Sequence, residues 1–194
     1  MTALILGLIL FLGVHSIRIG GEARRSALIQ RLGANGYKGL YSLASGAGLV
    51  LMIWGYSLAR LSPVPLWTPL AWPRHLAMLL TLLAFIMLVA AYVPGNGIKA
   101  RLHHPMVLAV KVWAFAHLLA NHTLADVLLF GGFLLWAALN FRAARARDRA
   151  AGTVYPAGRL PMTLLTVIVG AVAWAGFAIW AHPAWIGVAV FAPR

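Results

Sequence analysis

Long, nearly uninterrupted apolar runs constrain what this sequence can fold into more than any other feature. Of its 194 residues, 62% are hydrophobic and 10% are charged, whereas a soluble domain carries roughly 25% charged residues. An apolar run of about 20 residues is long enough to cross a membrane as an α-helix. A transmembrane β-barrel would instead alternate apolar and polar residues along each strand. The sequence therefore predicts an all-α, polytopic transmembrane helical bundle.

The apolar runs predict about six spans in a single domain that covers residues 1–194. The predicted spans are residues 2–19, 38–59, 75–93, 106–121, 124–141 and 161–182. Four prolines within residues 63–73 predict a stiff, non-helical crossing between the second and third spans. The motif PGNG at residues 94–97 predicts a firm end to the third span. The apolar tail from Pro183 onward is too short to cross, so we expect it to lie at the interface or to fold back.

The net charge of +13 comes mainly from basic residues between the predicted spans. Three loops hold most of them: Arg18, Arg24, Arg25, Arg31 and Lys38 in the first, Lys99 and Arg101 in the second, and Arg142, Arg145, Arg147, Arg149 and Arg159 in the third. The positive-inside rule places these loops in the cytoplasm and both termini outside. The predicted partner is thus the lipid bilayer and not nucleic acid. Residues 140–152 are expected to extend the fifth span as a basic helix.

Ionisable side chains inside the spans are the candidate functional groups, because charge is costly in hydrocarbon. They are His15, Lys111 and His117, with Arg18 and His104 at span ends. A single intramembrane histidine is more often a packing residue, but two on different helices are the usual way to hold a metal or a haem iron. Zinc is less attractive, since there is no cysteine and there are few carboxylates to complete four ligands.

Two further polar residues have local interpretations. Lys111 shares a predicted helix face with His104, so it would either meet an anionic group, such as a haem propionate, or extend to the membrane surface. Asp126 follows a turn and is expected to cap the fifth span through its carboxylate.

Five stretches resemble the NnrU family, and together they extend over nearly the whole chain. They are GVHSIR, RLGANGYKGLYSLAS, HHPMVLAVKVWAFAHLLANH, NFRAARARDR and HPAWIGV. The resemblance implies a link to denitrification, with nitrite and nitric oxide reductases as partners. It also implies kinship with a plant carotenoid cis-trans isomerase that binds haem b, whose two axial histidines match His15 and His117. His104 is the alternative partner of His15.

Two functions follow from the resemblance. The first is a bis-histidine haem b protein that acts as a redox-dependent isomerase, or a related enzyme, on a lipophilic, carotenoid-like small molecule. The second is a non-enzymatic sensor of haem or nitric oxide, or an assembly factor for denitrification enzymes. The plant enzyme has a cysteine that takes part in a ligand switch where this chain has Ala114, so that switch cannot operate here.

Overall fold

Helices form at all six places where the apolar runs predicted them. The computed structural model describes residues 1–68 and 72–191. Its α-helices are α1 (Thr2–His15), α2 (Glu22–Leu61), α3 (Trp72–Tyr92), α4 (Gly97–Leu102), α5 (Pro105–Ala120), α6 (Leu124–Ala150), α7 (Leu160–Gly176) and α8 (His182–Ile186). One turn of π-helix, Phe177–Ala181, joins α7 to α8. The all-α prediction is confirmed for the described residues, and so is the helical extension of the fifth span, which continues to Ala150.

Only four of these segments are long and apolar enough to cross a membrane. They are Glu22–Leu61, Trp72–Tyr92, Leu124–Ala150 and Leu160–Ile186. The apolar helices α1 and α5 have 14 and 16 residues. At 1.5 Å per residue they extend about 21 and 24 Å, against roughly 30 Å of hydrocarbon. The predicted count of six spans is therefore not confirmed. The first span was predicted to reach residue 19, but the chain turns from Ser16 onward.

A kink divides α2 into a basic segment and an apolar one. Gly33 adopts φ 71° and ψ 161°. This conformation is not helical, and residues other than glycine rarely adopt it. Residues 22–32 form the helical segment before this kink. The sequence predicted these residues as part of a loop, so that prediction is wrong. Their basic charge is typical of loops, and the glycines that follow them do not favour a helix, so no signal in the sequence indicated the helical backbone.

The helices belong to two compact units, the first of which holds α1, α2 and most of α6. It consists of Met1–Pro69 and Asn121–Asp148. Its core contains Leu4, Leu8, Met52, Ala59 and Ala125. Glycines let α1 and α2 approach closely: a Cβ atom on Gly48 would lie 2.8 Å from the backbone nitrogen of Phe11, and Gly55 lies against the backbone of Leu4. Small residues are the usual means of close helix packing in membranes.

Asp126 ties α6 to α2 within this unit and is 5% exposed. Its Oδ2 accepts hydrogen bonds from the backbone N–H of Thr123 at 2.9 Å and from the Thr123 hydroxyl at 2.6 Å. The Thr123 hydroxyl in turn accepts from the Asp126 N–H, so the two residues form a capping box at the start of α6. The Tyr56 hydroxyl donates to Asp126 Oδ1 at 2.6 Å. The predicted capping role is confirmed, and the bond to Tyr56 adds a tertiary contact.

The proline-rich segment between α2 and α3 is held by the turn before α6. The Leu66 N–H donates to the His122 carbonyl at 2.8 Å, and the Leu124 N–H donates to the Val64 carbonyl at 2.9 Å. Residues 62–68 are non-helical, as predicted. The rest of the predicted crossing, residues 69–71, lies outside the described residues.

The second unit comprises Leu70–Ala120 and Arg149–Arg194, with α3, α4, α5, α7 and α8 among its described residues. Its main polar anchor is Asn96, which is 1% exposed. The Asn96 side chain donates to the Ala90 and Val93 carbonyls and accepts from the Lys99 N–H, so it ends α3 and caps α4. The predicted stop at PGNG is confirmed, whereas the short helix α4 was not predicted.

The apolar tail folds back on α7, which was one of the two predicted arrangements. The His182 Nδ1–H donates to the Val188 carbonyl at 2.7 Å. The rings of Trp174 and Phe191 have centroids 6.1 Å apart. The last residues, 192–194, lie outside the described part of the chain.

Gly48→Leu is expected to destabilise the first unit, because the new side chain meets the backbone of α1 at Phe11. Overpacking of this kind costs about 1–3 kcal/mol. Gly46→Leu is the matched control on the same helix, since no atom lies within 4 Å of a Cβ at Gly46. Thermal unfolding of the two purified variants in the same detergent measures the difference. Equal midpoints would show that the close α1–α2 packing is absent.

Asp126→Ala is expected to cost about 1–3 kcal/mol, because two partly buried hydroxyls, of Tyr56 and Thr123, and the Thr123 N–H lose their acceptor. The control is Glu22→Ala, which removes a carboxylate that forms only exposed ion pairs and should lower the midpoint less. Denaturant titration of helical circular dichroism gives both values. A loss as small as that of the control would contradict the capping and Tyr56 contacts.

Candidate functional site

His15, the first predicted iron ligand, is the last residue of α1 and is half-buried in the first unit. Its Nδ1 lies 2.7 Å from the Phe11 carbonyl oxygen, one turn earlier. Because a carbonyl can only accept, Nδ1 carries the proton, and in the neutral form of the ring the lone pair is on Nε2. Histidines that bind metals are usually held in this way, by a hydrogen bond from the other ring nitrogen.

Three aromatic side chains enclose the His15 ring. Phe11 stacks on it at 4.2 Å between centroids, Tyr41 lies at 5.3 Å and Trp136 meets it edge-on at 6.2 Å. The Trp136 indole nitrogen is buried and has no hydrogen-bond partner within the described residues. Buried indole N–H groups usually have a partner. An orphaned donor next to a correctly protonated imidazole fits a site that accommodates a polar group of a ligand.

His15 also lines a cavity of about 260 Å³. The other lining residues are Val14, Ile17, Arg18, Arg25, Tyr37, Lys38, Tyr41 and Ser42. Three basic residues, two tyrosines and a serine therefore line one space, and no carboxylate lines it within the described part of the chain. Arg18, predicted as a cofactor contact, lies in the same cavity as His15.

A single carboxylate lies next to these cations. Glu22 accepts from Arg18 Nε at 3.1 Å and from Arg25 Nη1 at 2.7 Å. The hydrogen bond from Arg25, with the charge of Arg18 added, lowers the pKa of Glu22, which lies before the kink and outside the predicted span. The Arg25 guanidinium lies 5.9 Å from the Tyr37 ring centroid. Arg147 Nη1 on α6 donates to the Arg18 carbonyl at 3.1 Å and fixes the turn after α1.

His117, the second predicted ligand, is on α5 in the second unit and is half-buried. Its Nδ1–H donates to the Trp113 carbonyl at 2.8 Å, four residues earlier, and the two rings have centroids 5.1 Å apart. This local arrangement repeats that of His15. Ala114, the position of the expected cysteine in the plant enzyme, is fully buried. Each predicted ligand is thus held in the tautomer that leaves Nε2 as the basic nitrogen.

Lys111 and His104 occupy other positions in the second unit. Lys111 is exposed on α5 and precedes His117 by six residues, which places the two about 9 Å apart along the helix and on different faces. The stretch of chain from His104 to His117 would extend about 20 Å as an α-helix. The His104 ring lies edge-on to the Tyr155 ring, with 6.3 Å between the centroids. Neither residue is therefore placed next to His117, and their roles as cofactor contacts remain predictions.

The turn before His104 is strained. His103 has φ 66° and ψ −50°, and the His104 N–H donates to the Leu102 carbonyl at 2.8 Å, which defines a classical γ-turn. The His103 ring stacks on Tyr155 at 4.1 Å with an angle of 7° between the planes. The sequence did not predict this turn. Among the described residues, no group of three or more His, Cys, Asp or Glu side chains is placed to hold a metal ion.

Several site residues were not predicted, although some had a usable signal. Tyr37 and Tyr41 are four residues apart on an apolar helix, a spacing that places both hydroxyls on one face. Lys38 and Arg25 were interpreted only as orientation signals. Trp136 carried no signal at all, because an indole in an apolar helix is ordinary.

The long apolar helices and the few half-buried ionisable groups define a helical integral membrane protein. The family model described as NnrU protein matches residues 3–190. The chain therefore belongs to the NnrU family, as the five quoted stretches predicted. Neither a search of curated proteins nor a search of solved structures finds a match.

Proposed function

We propose that this protein binds haem b in the bacterial inner membrane, and that His15 and His117 are the residues that would hold the iron. The observation that carries the proposal is the hydrogen bond from each Nδ1–H to the carbonyl four residues earlier. The bond fixes the ring plane and leaves the Nε2 lone pair for iron.

The surroundings of His15 fit the group in two ways. Phe11 and Trp136 shield one ligand from water, and the orphaned indole N–H of Trp136 offers a donor to a polar edge of the cofactor. Arg18 supplies positive charge in the same cavity, which favours the carboxylates that haem carries. His104 stays the alternative ligand to His117.

We further propose that the haem serves a redox-dependent reaction on a lipophilic, carotenoid-like molecule. When bound, haem supplies a one-electron donor or a Lewis acid. His15 and His117 would hold the iron through their Nε2 atoms, and the apolar helices would give a lipophilic substrate access from the bilayer. With no cysteine in the sequence, Ala114 fills the position of the thiol, so no thiolate can take part in an exchange of ligand.

Protein purified from haem-replete cells is expected to show a Soret band. His15→Ala and His117→Ala should each lose most of the bound haem, because the iron then lacks one strong ligand. His75→Ala is the matched control, since His75 is exposed on α3 and has no proposed role. His104→Ala should also keep the band if His117 is the second ligand.

A colourless wild-type protein would overturn the proposal. Loss of haem in His15→Ala and His104→Ala, with normal haem in His117→Ala, would identify His104 and not His117 as the second ligand. If haem is bound but no polyene is converted, and deletion of the gene impairs nitrite and nitric oxide reduction, the sensor or assembly function would stand instead.

The basic loops are proposed to face the cytoplasm, with both termini in the periplasm, and labelling tests this orientation. The chain has no cysteine, so single cysteines report without background. Ser62→Cys, between α2 and α3, should react with a membrane-impermeant maleimide in intact spheroplasts. Val154→Cys, which is 87% exposed after α6, should react only after lysis. The reverse pattern would invert the orientation.

A further inference from the structure

The cavity at the end of α1 has more positive charge than its surroundings neutralise. Three cations line it, Arg18, Arg25 and Lys38, and the neighbouring Glu22 supplies one negative charge. Two positive charges remain. No hydrogen bond or ion pair to Lys38 occurs among the described residues, and each arginine gives Glu22 only one of its N–H groups. The cations therefore keep several donors that the protein does not use.

The lining offers neutral donors as well as charge. The hydroxyls of Tyr37, Tyr41 and Ser42 belong to residues that line the same space. An oxyanion with several acceptor oxygens matches such a set, and arginine with lysine is the usual pair of phosphate-binding side chains. At about 260 Å³, the cavity is somewhat below the roughly 300–1,000 Å³ of pockets that enclose drug-sized ligands. Its size suits a small anionic head group.

The position of the cavity along the helices points to the membrane surface. The apolar run of α1 ends at His15, and the apolar part of α2 begins after the kink at Gly33. Val14 and Ile17 give the cavity an apolar wall beside its cations. Anionic head groups lie at this boundary, where basic side chains attract them by about 1 kcal/mol each.

We propose that this cavity binds a phosphate group, supplied either by the head group of an anionic phospholipid or by free phosphate. The proposal does not rest on haem, because the cations and hydroxyls belong to this chain whether or not His15 holds iron. Lys38 is its key contact, since its charge is not shared with a carboxylate.

The test uses the purified full-length protein with two probes. The first is phosphatidylglycerol in nanodiscs of phosphatidylcholine, with bound lipid counted by native mass spectrometry. The second is inorganic phosphate, added to the protein in detergent while its thermal midpoint is followed. Lys38→Met should weaken binding of the effective probe about fivefold or more, which corresponds to the loss of one contact of about 1 kcal/mol.

Arg31→Met is the matched control. Arg31 is exposed on the same helix, and its substitution removes the same charge, but it does not line the cavity. The Arg31→Met protein should bind the effective probe within about twofold of the wild type, because a distant surface charge is screened by salt. Lys38→Glu and Arg31→Glu form a second pair, in which charge reversal should abolish binding only at Lys38. Gel filtration and circular dichroism check that all four variants fold.

The outcomes separate the two sources of phosphate from the alternatives. Selective loss of phosphatidylglycerol in the Lys38 variants assigns a lipid site, and selective loss of the phosphate-induced shift assigns a free phosphate site. Equal losses at Lys38 and Arg31 would show general surface charge and overturn the proposal. Absence of binding by the wild type would overturn it too. If Lys38→Met lost haem but bound phosphate normally, the cations would be assigned to haem carboxylates, and the proposal would be overturned as well. A haem-free protein that still shows the selective loss would refute only the proposed function.

Discussion

Inside a bilayer, a polar hydrogen that water cannot reach needs an acceptor in the protein or in a ligand, and this constraint accounts for the hydrogen bond made by each predicted iron ligand. Helices satisfy their backbone groups internally, which is why helices form the membrane part of this chain. His15 and His117 extend the same solution to a side chain: each donates Nδ1–H to a carbonyl one turn earlier. The donor is satisfied, and the basic nitrogen is fixed at Nε2. Local backbone geometry thus prepares a ligand before any cofactor is considered.

The environment of His15 depends on how closely α1 approaches α2. Gly48 and Gly55 remove the side chains that would separate the two backbones. That approach brings Tyr41 to the His15 ring and places the cations of α2 beside the end of α1. The capping box at Asp126 and its bond to Tyr56 then hold α6, which contributes Trp136, against the same unit. A few small and polar residues therefore position the whole cavity.

The fold was predictable from the sequence wherever the signal is local and strong. Apolar runs predicted the places of the main helices, and PGNG predicted the end of α3. The length of α1 was overestimated, since nothing in an apolar run marks the point where the chain turns at Ser16. The helical segment before Gly33 was missed because its charge resembles that of a loop, and a positive φ is visible only in the structure.

The candidate site was predictable only in part. His15, His117 and Arg18 were singled out because ionisable groups are rare in apolar spans, and the structure places His15 and Arg18 in one cavity. Lys38, Tyr37 and Trp136 were not, since their importance comes from tertiary contacts between helices that are distant in sequence. The buried amide of Asn96 belongs to the same class.

The central claim is that two neutral histidines hold a haem iron. Electron paramagnetic resonance of the purified, oxidised protein tests it most directly, because axial ligands determine the spin state of ferric haem. The account predicts a low-spin spectrum characteristic of two imidazole ligands. A purely high-spin spectrum, or no ferric haem signal in protein prepared from haem-replete cells, would contradict it.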